Sequence, residues 1–349
     1  MIKYFSMFSG IGGFEIGIQR AYDDATGRRQ SQDGGESLER DESMSIPASI
    51  PWEQIPLCIG YSEIDKYAIK VYERNFNGHT NYGNATAIDA QQLPDFDLLV
   101  GGFPCQAFSI AGKRYGFQDT RGTLFFDIAR ILANKRPRHL VLENVKGLLS
   151  HDNGKTFQTI LGVLTDLGYT VEWQVLNSKD FGVPQNRERV IIVGHLGAEC
   201  SGQVFPIINN SGETIKYDVS GSQRDRVYNK SGIAPILPTM QGGNTHPKII
   251  VSRKHRTKVD LQDISSTLTS SFKGQPDGDG RPAIFNNARI RRLTPKECER
   301  LQGFPDDWTK YGVGDEPISD TQRYKMCGNA VTTNVIQAVM ERLANHEEL

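Results

Sequence analysis

The chain has 349 residues, 38% apolar and 23% charged, with a formal net charge of −1 and five cysteines. That length accommodates a full α/β domain and a smaller one, and the composition is ordinary for a globular protein. The longest apolar runs, HLVLENV and VIIVG, are too short to span a bilayer, which excludes a membrane-spanning helix. Cys58, Cys105, Cys200, Cys298 and Cys327 form no CxxC pair, which argues against a disulfide framework and a structural zinc site, so no metal is expected. The opening MIKYFSMFSGIGG lacks the pattern of a signal peptide, so the chain is expected in the cytoplasm.

Charge is unevenly distributed. Residues 23–53 hold eight acids against three Lys/Arg, whereas 221–258 hold eight Lys/Arg against one acid. A local basic segment is what neutralising phosphates requires; the whole-chain sum is not.

Residues 2–8 predict a short buried strand running into SGIGG, followed by a helix over 13–22. Residues 23–53 are polar and aperiodic, as an extended surface insertion would be. LCIGYSEID predicts a strand and 65–76 an amphipathic helix. DLLVGGFPC, HLVLENV, TVEWQVL and RVIIVG continue as strands, alternating with helices at 122–134 and 154–167. Such alternation predicts a doubly wound, mostly parallel sheet with ligands at the carboxyl ends of its strands. Beyond about residue 198, short β-like pieces with Gly, Pro and Asn predict a smaller irregular β domain, in which 232–240 and 263–271 look alike. Residues 328–344 return to helical periodicity.

Four segments carry chemistry. FSGIGG (8–13) after a strand lets main-chain amides and a helix N-terminus approach a nucleotide-type ligand. An acid holding ribose hydroxyls belongs about 20 residues later; Glu63, 53 residues after Gly10, fits once the insertion is removed. The turn does not choose between NAD and S-adenosylmethionine. GGFPCQAFS (101–109) puts Cys105 at a strand's edge, where Pro104 fixes the backbone before it and a nearby cation would favour a nucleophilic thiolate. LENVKG (142–147) ends an apolar strand with Glu143, a carboxylate that needs a partner there. QNRER (185–189) sets Arg187 and Arg189 just ahead of another strand.

Together and in this order, these segments resemble the bacterial DNA (cytosine-5) methyltransferases of restriction–modification systems. FSGIGGFEIG, SEIDKYA, NATAID, GFPCQAFSIAGKR, RGTLFFDIARI, ENVKGL, QNRER, RRLTPKECERLQGFPDDW and CGNAVTTNVI stand in the family's order and cover nearly the whole chain outside 23–53 and part of 199–285. The resemblance implies the Rossmann-like fold of S-adenosylmethionine-dependent methyltransferases: a large domain of residues 1–197 plus 322–349 and a target-recognition domain of 198–321 that includes the 291–308 motif. It implies S-adenosyl-L-methionine as cofactor, held by Phe8, Gly10, Ile11, Gly12, Gly13, Glu63, Ile64, Asp89, Pro104, Asn329 and Ala330. Ile64 departs from the family's frequent aromatic, which weakens stacking on adenine. Cys105 becomes the nucleophile on cytosine carbon 6, Glu143 holds ring nitrogen 3 and the amino group, and Arg189 with Arg187 holds the base oxygen and a nearby phosphate. Gln223 and Arg226 resemble the recognition-loop residues that contact DNA. Implied partners are double-stranded DNA and a separately acting restriction endonuclease, with the enzyme itself a monomer. Three other readings share parts of this set: a nicotinamide oxidoreductase, which has no use for the PCQ, ENV and QNRER blocks together; a tRNA methyltransferase with the same catalytic core; and a DNA-binding protein without catalysis.

Overall fold

In the computed structural model, residues 2–26, 56–104, 124–197, 204–207, 217–219, 227–228, 248–252 and 288–345 are described. Cys105, Gln223, Arg226, most of the 23–53 insertion and both similar units at 232–240 and 263–271 lie outside them.

Apolar strands β1 (Lys3–Met7), β2 (Leu57–Ser62), β3 (Leu98–Gly102), β4 (His139–Val145), β5 (Tyr169–Asn177) and β6 (Glu188–Leu196) form one sheet in the order β2-β1-β3-β4-β6-β5. The first four are parallel neighbours, whereas β6 runs antiparallel to both β4 and β5. Side chains alternate between faces at a period of two. Tyr4, Leu98, Val100, Val141, Ile191 and Val193 pack on one side, together with α1 (Gly13–Ala25) and α7 (Thr333–Asn345). Phe5, Met7, Leu99, Leu140, Leu142, Val190 and Ile192 pack on the other, under α3 (Leu124–Lys135) and α4 (Lys155–Asp166). Both faces are covered, so the strands read as unbroken apolar runs.

Four short strands, β7 (Tyr217–Val219), β8 (Val227–Tyr228), β9 (Lys248–Ser252) and β10 (Ala288–Arg292), form a second sheet. The chain leaves it at Arg292 and enters α5 (Pro295–Leu301), which Thr294 starts with a capping box: Glu297 N–H donates to Thr294 Oγ1 (3.3 Å) and Thr294 N–H to the Glu297 carboxylate (2.7 Å). Within residues 198–321, read from the sequence as the smaller domain, Phe304 and Ile318 share a core with Ile11 and Ile16 of the first helix region, Ala68 and Val71 of α2 (Lys66–Asn75), and Met326 of α6 (Asp320–Asn329). Their apolar faces need the large domain's surface for cover. The helix expected from Gly328 is also two: α6 ends at Asn329, and Ala330 takes an extended conformation before α7 begins at Thr333.

Glu15, in the first turn of α1, is buried and accepts a hydrogen bond from Tyr72 Oη at 2.9 Å. Burial pushes its carboxyl up to about 7, against the Tyr72 bond. A carboxyl raised on folding leaves stability intact below its unfolded pKa and removes it as pH climbs through the folded value. Wild-type stability should therefore lose on the order of 3 kcal/mol from this group between about pH 5 and pH 8. The difference between wild type and Glu15→Gln in urea unfolding across that range measures it, and parallel pH profiles would contradict it.

Candidate active site

β1 ends in a turn of unusual backbone: Phe8, Gly10 and Gly12 have φ of 55°, 56° and 89°. A side chain at Gly12 would be strained by that φ, and its Cβ would lie 2.1 Å from the Phe76 ring. The turn leads directly into the N-terminus of α1, with Gly12 as its cap.

Glu63, just beyond β2, reaches this turn. Its Oε2 accepts from Gly10 N–H (2.9 Å), while Oε1 accepts from Ile64 N–H (2.8 Å) and Asp65 N–H (2.7 Å). The adjoining Ile64 side chain is 70% exposed, an apolar surface beside a fixed carboxylate. Asp65 caps α2 and pairs with Lys325 of α6 at 2.6 Å. Burial raises its carboxyl, but Lys325 and the amides of Tyr67 and Ala68 outweigh that and hold it below the usual range. Two contacts here went unread in the sequence. Asn81 brackets the Glu63 main chain, accepting from its N–H (3.3 Å) and donating to its carbonyl (3.2 Å). Trp308 Nε1 donates to the Ile11 carbonyl at 2.9 Å, so the 291–308 motif closes over the glycine turn. Asp89 lies in an exposed turn, where its carboxylate accepts from Gln91 N–H and Gln92 Nε2, both at 3.0 Å.

The same carboxyl edge carries charge on β4 and β6. Glu143 Oε1 and Arg189 Nε are 2.8 Å apart, with each side chain only 13% exposed. Glu143 sits opposite Gly102 of β3, where a Cβ would lie 3.1 Å from Glu143 Oε2, so glycine leaves room for the carboxylate. Arg189 sits opposite Val145. It reaches this edge because β6 is antiparallel, which puts the strand's beginning beside the ends of its neighbours. Buried Asn144 donates to the Phe103 carbonyl at 2.9 Å and so fixes β3's exit to exposed Pro104, the last described residue before Cys105.

Arg187, expected with Arg189 to hold the base oxygen and a nearby phosphate, is buried, and its Nη2 donates to the carbonyls of Gly328 (3.1 Å) and Ala330 (2.8 Å), the two residues flanking Asn329. Burial and neighbouring Arg189 push its guanidinium down to about 9, against the pull of Glu143. The other side of that segment is held by buried Gln302, whose Nε2 donates to the Cys327 carbonyl (2.9 Å) and whose Oε1 accepts from Thr332 Oγ1 (2.8 Å). Asn329 and Ala330 are thereby brought back to the edge from the end of the chain.

Among the described residues, Cys58, Cys298 and Cys327 are buried free thiols. Burial pushes Cys58 up to about 12 and raises the other two, so none of the three offers a thiolate at neutral pH. No helix among the described residues is long and apolar enough to cross a membrane.

A glycine turn with a carboxylate opposite, at the carboxyl edge of a doubly wound sheet, defines a Rossmann-like α/β fold with room for a nucleotide-type ligand. Two solved structures share it: S. pombe Dnmt2 methyltransferase (TM-score 0.61, 17% identity, 99% of this chain and 98% of that one) and Entamoeba histolytica methyltransferase EhMeth (TM-score 0.60, 18% identity, 98% of each). The model of the C-5 cytosine-specific DNA methylase family matches residues 2–345, and the chain belongs to that family. It is 36% identical over 345 residues to type II methyltransferase M.NlaX of Neisseria lactamica, covering 98% of this chain and 96% of that relative. It is 37% identical over 371 residues to M.HpaII of Haemophilus parainfluenzae, covering 98% and 90%. The enzyme is thus a cytosine-specific DNA methyltransferase.

Gly12→Ala adds both φ strain and a clash with Phe76, and should lower stability by about 2–4 kcal/mol. Adding Phe76→Ala should relieve the clash alone, so that in urea unfolding the double variant's loss falls short of the sum of the two single losses. Strict additivity would show that the ring is not the obstacle.

Proposed function

We propose that the enzyme methylates carbon 5 of cytosine within a short duplex DNA sequence, with the target base turned out of the helix and bonded transiently to Cys105. The observation that carries this is the paired Glu143 and Arg189, nearly buried on the sheet edge beside the strand exit that leads to Cys105.

S-adenosylmethionine supplies an electrophilic methyl group when bound. The residues present fit it: the Glu63 carboxylate beside the glycine turn suits ribose hydroxyls, exposed Ile64 suits the adenine face, and the turn admits a ligand close to main-chain amides. Phe8, Gly10, Ile11, Gly12 and Gly13 line the methionine side, Asn329 and Ala330 close it, and Pro104 borders it. Asp89 meets the adenine amino group by exchanging its present turn contacts.

Carbon 5 of cytosine is a weak nucleophile. Addition of the Cys105 sulfur to carbon 6 raises electron density at carbon 5, which then takes the methyl group. Glu143 holds ring nitrogen 3 and the amino group, and Arg189 the ring oxygen, so charge gathering on the ring meets fixed partners in a site shielded from water. Loss of the carbon 5 proton to a base, with water the simplest candidate, then releases the thiol and restores the ring. A stacked cytosine cannot reach these groups, and turning it out costs a few kcal/mol, offset by the pocket. Gln223 fills the gap left in the duplex and Arg226 contacts a guanine edge or phosphate. The enzyme acts as a cytoplasmic monomer, alongside a separately encoded restriction endonuclease.

The test uses duplex DNA with 5-fluorocytosine at the enzyme's own site, found by bisulfite sequencing of modified DNA. With the methyl donor, a denaturation-resistant protein–DNA species should form, because fluorine cannot leave as the proton does. No such species means the covalent route is wrong. Cys105→Ala should abolish methyl transfer yet keep duplex binding, and Glu143→Gln should slow transfer by about 10²–10³-fold. Residual turnover in the cysteine variant would also rule the adduct out.

A further inference from the structure

Arg187 joins two parts of the site that the sequence keeps far apart. Its Nη2 grips the carbonyls on either side of Asn329, 141 and 143 residues away. Its main-chain N–H is itself held by Asn177 Oδ1 at 2.9 Å, which anchors the backbone from which the fork projects. Nε and Nη1 of the same guanidinium are closed off from solvent and meet no hydrogen-bond partner among the described residues. Glu143 and Arg189 both act on this guanidinium through space, with opposite sign. One rigid, planar cation thus holds the turn that closes the cofactor pocket, and it projects from the strand entry that two residues later carries Arg189 of the ion pair assigned to the base.

We propose that Arg187 is a positioning residue that couples closure of the cofactor pocket to the Glu143–Arg189 pair. The assignment rests on the proposed uses of Asn329, Ala330, Glu143 and Arg189. A buried guanidinium deprived of its acceptors is strongly disfavoured, so it follows the 328 and 330 carbonyls when that turn moves. The fork is planar and its donors are fixed relative to one another, so a shift at Nη2 pulls on the backbone at 187 and hence on Arg189 two residues on, which is paired with Glu143. A ligand that settles the 328–330 turn therefore also settles the carboxylate and guanidinium that receive the base. Lysine keeps the charge but offers no planar fork to hold two carbonyls in one fixed geometry.

Steady-state methylation of unmethylated phage DNA with tritiated S-adenosylmethionine separates the possibilities. Arg187→Lys should raise KM for the methyl donor about tenfold and also lower kcat about tenfold at saturating donor, with a melting temperature near wild type. Arg189→Lys should lower kcat alone. Donor KM unchanged in Arg187→Lys overturns the grip on the turn, and kcat fully restored at saturating donor overturns the coupling. Hydrogen exchange on the wild-type enzyme decides the matter if the variant does not fold. S-adenosylhomocysteine should slow exchange both at 328–333 and at 143–145 and 187–190. Protection confined to 328–333 overturns the coupling and leaves the pocket standing, whereas no protection at 328–333 overturns the pocket assignment as well. Glu143→Gln tests the base-holding role separately: normal turnover there, with donor KM unchanged, removes that role without bearing on the grip of Arg187.

Discussion

Strand direction decides which end of a sheet receives a charged side chain, and here one reversed strand governs the chemistry. β6 lies between β4 and β5 and runs against both. Had it run parallel, Arg187 and Arg189 would have emerged at the amino edge, a strand's length from Glu143. The reversal brings a guanidinium within 2.8 Å of the carboxylate that ends β4. Held nearly free of water, that pair is screened less than a surface pair would be, and each side chain is fixed by the other.

A second constraint is main-chain satisfaction. The residues around Asn329 lie between two helices, where carbonyls lose their helical partners. Arg187 from one side and Gln302 from the other supply donors to Gly328, Ala330 and Cys327. Polar side chains buried elsewhere thereby hold an irregular segment in one conformation. The same logic applies beyond β2, where Asn81 pins the main chain of Glu63.

How much of this was legible follows from the range of each interaction. The strands, α1 to α4 and the glycine turn were read from local patterns: apolar runs, 3.6-residue spacing, and glycines at positions that adopt positive φ. The interval from Gly10 to Glu63 was readable once the polar insertion was set aside, and the two do meet. The direction of β6 was not extracted, although a signal existed: residues 178–187 are too few for the crossover helix that a parallel connection needs. Trp308 over Ile11, Gln302 on Cys327 and Arg187 on Ala330 left no local trace, because each is a side-chain grip on a distant main chain. The break at Ala330 was hidden for that reason too, since helical spacing continues across it while the carbonyls turn outward to Arg187. The change of partners after Arg292 left no trace in the pattern because β10 and α5 are separated by only two residues, although β10 pairs with β9 and α5 packs on α6.

The closure of the glycine turn by Trp308 also bears on the birth of the protein. During synthesis the turn leaves the ribosome well before its cover: the indole that caps Ile11 and the segment at 328–330 follow some 300 residues later. At ordinary elongation rates of about 5–20 residues per second, that interval lasts at least about fifteen seconds. Throughout it, the strands of the large sheet exist without the helix α7 that covers one of their faces. A nascent chain in that condition exposes the apolar sheet face that α7 covers, and its glycine turn stays uncapped until residue 308 has emerged.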